Sequence, residues 1–164
     1  VRDRIMEKWA VSHQTVKKMG AKIEIFDDYV KISSEGNLKG IDVDLSNAPD
    51  LLITVAILAA LADGTTNITG VKHARVKETD RIATKCSELK KLGCKLKEFE
   101  DGMSIEGGIR SGVVDSHKDH RLAMAFSLVG LKHDIEIKNG EVFDVSFPNF
   151  IEAMSEIGVE LELI

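Results

Sequence analysis

An internal repeat is the feature of this 164-residue sequence that most constrains its fold. Residues 16–28, VKKMGAKIEIFDD, match residues 89–101, LKKLGCKLKEFED, and residues 153–162, AMSEIGVELE, carry the same pattern once more. Self-similarity of this kind indicates a chain assembled from copies of one supersecondary unit, each packed on its neighbours. The fold must therefore accommodate the same arrangement of helices and strands more than once.

Each copy is predicted to contain the end of a helix followed by a strand. Gly20, Gly93 and Gly158 stand where the helix ends, since glycine adopts the left-handed conformation there without a Cβ clash. Alternating residues follow each glycine, which is the period of a half-buried strand.

A second matched pair lies between these copies. Residues 43–44 (VD) precede a predicted helix over residues 49–61, and residues 114–115 (VD) precede one over residues 119–131. The predicted unit is strand, helix, strand, helix and then further strands, at about one copy per 70 residues. We therefore predict an α/β sandwich in which helices pack on sheets.

The repeat also predicts the domain organisation. No low-complexity linker divides the chain, so we expect a single domain over residues 1–164. The copies are expected at approximately residues 1–70 and 71–138, with a partial copy at residues 139–164. Because the chain begins with valine rather than methionine, we expect it to be a piece of a longer protein, although a processed amino terminus or a segment chosen for expression would begin in the same way.

Composition and charge exclude several classes of protein. A net charge of −5 disfavours nucleic acid as a partner, because binding to a phosphate backbone needs a basic surface. The longest apolar run, residues 51–62, is shorter than the roughly 20 residues of a membrane span and is predicted to be a buried helix. The charged amino terminus does not resemble a signal peptide, so a cytoplasmic location is expected. Cys86 and Cys94 lack the spacing of a metal site or disulfide framework and are expected to be buried thiols.

Three cations cluster at the start of a predicted helix, in residues 73–81 (HARVKETDR). They are Arg75, Lys77 and Arg81. Helix amino termini already carry partial positive charge, so cations there indicate that an anion binds. If the helix runs from about residue 77 to 92, Lys77 and Arg81 share one face, and Arg81 can hold a carboxylate or phosphate through two parallel hydrogen bonds.

The same cluster has a simpler interpretation. Glu78 could pair with Arg81, and Asp80 with Lys77, as exposed ion pairs of a solvated helix end. Glu78 is also placed to act as a proton donor. The sequence pattern alone leaves both interpretations open.

The predicted helix over residues 119–131 begins in a similar way. His120 and Arg121 place a titratable group and a cation at its amino terminus, although a histidine there could also cap the helix or lie at the edge of the core. Asp50 follows Pro49 in the equivalent helix of the preceding copy, where the helix dipole alone explains a carboxylate. The repeat nevertheless aligns Asp50 with Arg121, and a carboxylate beside an anion site could be a general base toward a bound hydroxyl.

Four segments resemble, in order and spacing, the signature segments of 5-enolpyruvylshikimate-3-phosphate (EPSP) synthases. They are residues 47–50 (NAPD), 75–81 (RVKETDR), 119–125 (DHRLAMA) and 147–150 (FPNF). The resemblance runs from about Thr15 to the end of the chain. It implies two domains built from βαβαββ units that close on the substrates. It also implies transfer of the enolpyruvyl group of phosphoenolpyruvate to the 5-hydroxyl of shikimate 3-phosphate, without metal or organic cofactor.

The resemblance implies a catalytic role for three residues. Asp50 resembles the carboxylate that contacts the 5-hydroxyl and acts as base. Lys77 resembles the lysine near that hydroxyl and the transferred phosphate, and Glu78 the glutamate that moves protons at the methylene carbon of phosphoenolpyruvate.

The resemblance also assigns substrate contacts. Arg81 and Arg121 resemble the pair that holds the carboxylate and phosphate of phosphoenolpyruvate, with His120 beside them. Asp50, Lys77 and His73 resemble residues that bind shikimate 3-phosphate, although many family members have asparagine at the position of His73. Many also have a basic residue at the position of Val145, so one phosphate contact is expected to be absent or supplied differently.

The segments of the family that grip shikimate 3-phosphate from the amino-terminal domain have no counterpart in this chain. We therefore expect the missing domain to be a partner and the chain alone to be inactive, because half a cleft neither excludes water nor orients the acceptor hydroxyl. Two alternatives are an enolpyruvyl transferase for a UDP-amino sugar, whose family lacks the RVKE and DHR segments, and a non-catalytic binding domain with the same fold.

Overall fold

The computed structural model describes the backbone of residues 2–75 and 80–163 and, within those ranges, the side chains from residue 10 onward. The chain divides into two compact units, which we call unit 1 (Val1–Ile109) and unit 2 (Arg110–Ile164). This division does not decide the single-domain organisation or the repeat boundaries expected above, which stay predictions. Among the described residues, no helix is long and apolar enough to cross a membrane.

Unit 1 contains three helices and six strands among its described residues. In chain order they are α1 (Arg2–Lys18), β1 (Lys22–Ile25), β2 (Val30–Ser33), β3 (Asp42–Asp44), α2 (Leu52–Ala60), β4 (Thr65–Thr69), α3 (Arg81–Lys91), β5 (Lys95–Phe99) and β6 (Gly102–Glu106). Strands β1 and β2 form an antiparallel hairpin. The other four form one sheet in the order β3-β4-β6-β5, in which β3 and β4 are parallel and the remaining neighbours antiparallel.

The segment from β3 to β6 is one complete βαβαββ unit, which we call the central copy (residues 42–106). Helix α2 contacts β4 and β6, and α3 contacts β5 and β6. Buried and exposed residues alternate along β4, with Thr66 and Ile68 buried, so one face of the sheet is covered and the other is not. The predicted α/β sandwich of repeated βαβαββ units is confirmed.

The central copy owes its core to two kinds of helix. The sequence of α2, LITVAILAA, is apolar at every position except the exposed Thr54, and such a helix belongs largely in the interior. Helix α3 is amphipathic and buries one apolar stripe, which consists of Ile82, Cys86, Leu89 and the following Leu92. Both cysteines are free and buried, as expected.

Unit 2 repeats the first part of the central copy. Its elements are β7 (Gly112–Asp115), α4 (His120–Ser127), β8 (Ile135–Lys138) and α5 (Phe150–Glu156), with 3₁₀ segments at Leu128–Leu131 and Gly140–Val145. Strands β7 and β8 are parallel, and Val114 lies opposite Ile137 just as Val43 lies opposite Ile68 in the central copy. The predicted helices over residues 49–61 and 119–131 are both confirmed, each as an α-helix joined to a 3₁₀ segment.

The glycines of the repeat behave as predicted. Gly20, Gly93 and Gly158 each follow a helix and have φ values of +104°, +78° and +85°. Strands follow the first two, but the strand expected after Gly158 does not form. Alternation alone does not make a strand, because its backbone groups need a neighbouring edge, and no described strand pairs with residues 159–163.

The start of α3 differs from the prediction. The helix begins at Arg81, four residues later than expected, and Asp80 precedes it with a non-helical ψ of 96°. The expectation that Lys77 and Arg81 share one helical face involves a residue that lies outside the described ranges.

Candidate functional site

Those predicted site residues of unit 1 that the structure describes lie beyond the carboxyl ends of β3 and β4. These strands are parallel neighbours, and Asp44 at the end of one lies opposite Thr69 at the end of the other. The segments that leave them therefore start from the same edge of the sheet, which is where open α/β sheets commonly bind ligands. Helix α3 also starts at this edge, because it leads from β4 to β5, which runs in the same direction.

Three predicted residues belong to these segments. Asp50 lies in a 3₁₀ turn, Pro49–Leu51, and is partly exposed. His73 is exposed in a second 3₁₀ segment, Lys72–Arg75, and Arg81 is the first residue of α3. The two catalytic residues assigned from the family resemblance, Lys77 and Glu78, lie outside the described residues.

A hydrogen-bonded turn shapes this edge. The Asp44 carboxylate accepts from the Ser46 amide at 2.8 Å, directly after β3. Gly70, after β4, has a φ of +79°, and a Cβ there would lie 2.1 Å from Asp44 Oδ1. Asp101, in the turn between β5 and β6, accepts from the amides of Gly70 (3.0 Å) and Lys72 (2.8 Å). These backbone hydrogen bonds hold the pKa of Asp101 below its ordinary value.

Asp80 caps α3. Its Oδ1 accepts from the amides of Ile82 and Ala83, each at 3.0 Å, and its Oδ2 accepts from Arg75 at 2.7 Å. Burial acts to raise the pKa of Asp80, but hydrogen bonds from Ala83 and from the Arg75 guanidinium outweigh it, so the pKa is lowered. The predicted place of Arg75 in an anion-binding cluster is therefore corrected, because its guanidinium binds carboxylates of the chain itself.

The corresponding edge of unit 2 lies beyond β7 and β8. Asp115 Oδ1 accepts from the His117 amide at 2.7 Å and from Asn139 Nδ2 at 3.0 Å. Ser116 Oγ donates to the Asn139 carbonyl at 3.0 Å and accepts from the Lys118 amide at 3.1 Å. These hydrogen bonds tie together the two loops that leave the parallel strands.

Backbone strain marks this pair of loops. Three residues, His117, Lys118 and Asn139, have φ values of +50°, +59° and +55°. Residues other than glycine rarely adopt this left-handed backbone conformation. Such residues concentrate at functional sites, where the surrounding structure holds them in place. Asn139 follows β8 as Gly70 follows β4, so the repeat places a left-handed residue at the same point in both copies.

His120 and Arg121 are the first two residues of α4, and both are partly exposed. Asp119 caps the helix by accepting from the Arg121 amide at 2.8 Å, so the alternative that His120 is the cap is wrong. Val145 ends the 3₁₀ segment after β8 and is 79% exposed. The position at which many family members have a basic residue is therefore on the surface.

The structure brings Asp50, His73 and Arg81 to one edge of unit 1, and His120 and Arg121 to the equivalent edge of unit 2. Sequence reasoning missed the residues that shape these edges: Arg75 as an internal partner, and Asp101, Asp115 and Asn139 as loop anchors. One available signal was Asp80 directly before an apolar periodic run, which is a typical helix start. Within the described residues, no group of three or more His, Cys, Asp or Glu side chains is arranged to hold a metal ion.

Solved structures with this fold are enolpyruvyl transferases. The structure of EPSP synthase from Acinetobacter baumannii matches with a TM-score of 0.83 and 33% identity, over 93% of this chain and 39% of that protein. The enolpyruvyl transferase NikO from Streptomyces tendae matches with a TM-score of 0.68 at 18% identity, over 92% of this chain and 35% of that protein, a likeness of fold alone. The chain thus has the fold of the enolpyruvyl transferases.

The sequence model of the family described as EPSP synthase (3-phosphoshikimate 1-carboxyvinyltransferase) matches residues 5–154, and the chain belongs to that family. A 3-phosphoshikimate 1-carboxyvinyltransferase of Methanobrevibacter smithii is 98% identical over 149 residues, which are 91% of this chain and 34% of that protein. One from Methanothermobacter thermautotrophicus is 55% identical over 148 residues, which are 90% of this chain and 35% of that protein. The chain spans about a third of the length of these relatives.

Proposed function

We propose that this chain forms part of the active site of an enzyme that transfers the enolpyruvyl group of phosphoenolpyruvate to the 5-hydroxyl of shikimate 3-phosphate. The observation that carries the proposal is a recurrent one. In two copies of one unit, Asp50, Arg81 and Arg121 stand at the start of helical segments beyond the ends of parallel strands, in a chain of the EPSP synthase family. The UDP-amino-sugar alternative has no comparable support.

The chemistry needs a base, a proton donor and bound cations. The 5-hydroxyl oxygen attacks C2 of phosphoenolpyruvate and loses its proton, while C3 gains one. Phosphate then leaves, C3 loses a proton and the double bond is restored. We assign the hydroxyl proton to Asp50 and the proton transfer at C3 to Glu78, with Lys77 near the hydroxyl and the phosphate.

The remaining assignments concern binding. Arg81 and Arg121 hold the carboxylate and phosphate of phosphoenolpyruvate, and His120 lies beside Arg121 in sequence. A guanidinium suits this task because it offers paired N–H donors to either anion. We assign His73, with Asp50 and Lys77, to shikimate 3-phosphate.

The proposal includes a partner, the part of the protein that this chain lacks. The test is to join this chain to the remaining residues of the Methanobrevibacter smithii relative, which we call the reconstituted enzyme, and to measure phosphate release from the two substrates. We expect release by the reconstituted enzyme and none by the chain alone. A silent reconstituted enzyme would contradict the function, and release by the chain alone would contradict the need for the partner.

Substitution of Arg121 tests the binding assignment. Arg121→Gln removes a charged hydrogen-bond donor, so the KM for phosphoenolpyruvate should rise about tenfold or more in the reconstituted enzyme. Arg110→Gln is the matched control, because Arg110 is exposed outside the helix starts and its substitution should leave KM unchanged. An equal change in KM for the two substitutions would contradict the assignment of Arg121 to the binding site.

A titration of the chain separates an enzyme part from a non-catalytic binding domain. The amide signals of Arg81 and Arg121 should respond weakly to phosphoenolpyruvate in the chain alone and more strongly when the missing part is added. Strong and unchanged binding of another ligand in the isolated chain would favour the binding domain. The cytoplasmic location, the lack of cofactors and the exclusion of nucleic acid stay predictions.

A further inference from the structure

We propose that Arg75 is a positioning residue, which fixes the start of α3 and thereby places the Arg81 side chain for phosphoenolpyruvate. This inference rests on the proposed function, because it gives Arg75 a purpose in the same site. It assigns to the first residue of the RVKETDR segment a task different from that of the residues that meet the substrate.

Arg75 joins three parts of unit 1. Its Nη1 donates to Asp80 Oδ2 at 2.7 Å and to Glu98 Oε1 at 2.8 Å. Its Nε donates to the Glu100 carbonyl at 2.8 Å, and its Nη2 donates to the Phe99 carbonyl. One guanidinium thus connects the 3₁₀ segment after β4, the cap of α3 and the hairpin between β5 and β6.

The hairpin is connected to the core of the sheet through β6. Residues of β5 pair along their whole length with β6, and β6 pairs on its other side with β4. Met103 and Ile105 of β6 are fully buried. Because Arg75 bonds to both side-chain and backbone oxygens of this hairpin, the position of the guanidinium is set by the core of the sheet.

The Asp80 carboxylate connects the Arg75 guanidinium to the first turn of α3. Oδ2 binds Arg75, and Oδ1 binds the amides of Ile82 and Ala83 in the first turn of the helix. Arg81 lies between the cap and those amides, so rotation of the carboxylate would shift the backbone that carries the Arg81 side chain. A chain of contacts therefore runs from the sheet through Arg75 and Asp80 to Arg81.

The charges and burial suit a positioning role. Side-chain exposure is 21% for Arg75, 38% for Asp80 and 31% for Glu98, so the group is partly shielded from water. One cation that binds two carboxylates and two carbonyl oxygens should stabilise the chain more than an isolated surface ion pair does. Lysine at this position would keep the charge but lack the planar fork that reaches four acceptors at once.

A neighbouring ion pair gives a matched control. Lys72 Nζ lies 2.6 Å from Glu100 Oε1, in the same 3₁₀ segment and against the same hairpin, but its side chain is 66% exposed. Its ion pair joins it to the turn of the hairpin and not to the Asp80 carboxylate that caps α3. Removing its charge therefore changes the local electrostatics without loosening Asp80.

The first experiment measures amide hydrogen exchange in the chain. In Arg75→Met, the amides of Ile82 and Ala83 should exchange at least about tenfold faster, because the cap loses its charged partner. The amide of Ile105 should be unchanged, as should all three amides in Lys72→Met. Equal exchange of Ile82 and Ala83 in Arg75→Met and the parent chain would overturn the inference.

The second experiment measures kinetics in the reconstituted enzyme. Arg75→Met should raise the KM for phosphoenolpyruvate about tenfold, because Arg81 is displaced. Arg75→Lys should recover only part of this loss, and Lys72→Met should match the parent. A purely structural role would lower the active fraction and leave KM unchanged, which would overturn the inference. Lack of activity in the parent enzyme would instead defeat the proposed function, while the exchange result would still report on the cap.

Discussion

The central copy and unit 2 are built from the same local pattern but are completed to different extents. Both have two parallel strands, a helix between them and a left-handed residue after the second strand. The helix follows the Pro49–Leu51 turn in the central copy and the Asp119 cap in unit 2. The central copy adds β5 and β6 and becomes a four-stranded sheet, whereas unit 2 has two strands among the described residues. In unit 2 the loops beyond the parallel pair are tied to each other, whereas in the central copy the hairpin of β5 and β6 also anchors the loop after β4, through Asp101.

Burial differs accordingly. Ile68 on β4 is 1% exposed, while its equivalent on β8, Ile137, is only partly buried. Large apolar side chains of unit 2 also face solvent, including Leu131 (59%), Ile157 (70%) and Leu163 (63%). Because a two-stranded sheet is marginally stable by itself, we expect unit 2 to open more easily than the central copy.

The largest expected effect comes from truncating those two equivalent isoleucines. Ile68→Ala should cost about 2–5 kcal/mol of unfolding free energy, because it leaves a cavity in a closed core. Ile137→Ala should cost clearly less, since its site is already partly open to water. Native-state hydrogen exchange, followed at amides of β6 and of β7, measures the two units separately. Equal losses would break the comparison by showing that β8 is as well packed as β4.

An intermediate effect is expected at the two left-handed residues. Gly70→Ala places a Cβ against the Asp44 carboxylate at an unfavourable positive φ, and should destabilise the central copy by about 1–3 kcal/mol. Asn139→Gly is the complementary change in unit 2. It relieves the φ of +55° but removes the hydrogen bond to Asp115, so the net effect should be small.

Urea denaturation of both variants checks this pair. A large loss in Asn139→Gly would mean that the side-chain amide, and not the backbone conformation, holds the loops of unit 2 together. A neutral Gly70→Ala would mean that the turn after β3 can rearrange.

The same contrast explains what could be predicted from the sequence. The helix ends at Gly20, Gly93 and Gly158 were predictable, because the left-handed residue is required by the backbone within a few residues. The strand after Gly158 was not, since pairing depends on a remote edge. The start of α3 was predicted too early because Lys77 and Glu78 favour helix, whereas the Asp80 cap decides the boundary.

The candidate site divides in the same way. Asp50, Arg81 and Arg121 could be proposed from the sequence because each lies near the start of a predicted helix. The function of Arg75 was missed because its partner Glu98 is 23 residues away in sequence. A cation near a helix start can bind either an external anion or a carboxylate of the chain itself. Arg75 binds a carboxylate of the chain because the hairpin of β5 and β6 brings Glu98 next to it.

The smallest expected effect is a pH dependence confined to the central copy, where both cysteines lie. Burial raises the pKa of the Cys86 thiol to about 12, with a further contribution from Glu98, and raises the pKa of Cys94 to about 11. In the unfolded chain, a cysteine thiol has a pKa of about 8.5. Between that value and the folded pKa, the folded state binds more protons, so stability falls as pH rises.

From pH 8 to 9 this linkage should lower the unfolding free energy by about 0.7 kcal/mol per thiol. Hydrogen exchange corrected for its intrinsic pH dependence should show the loss at amides of β6 and not at those of β7. The variant with Cys86→Ala and Cys94→Ala is the control, since it should lose the dependence while unit 2 behaves as before. A decline that persists without the thiols would show that other groups cause it. A decline that extends equally to β7 would show that the two units do not open independently.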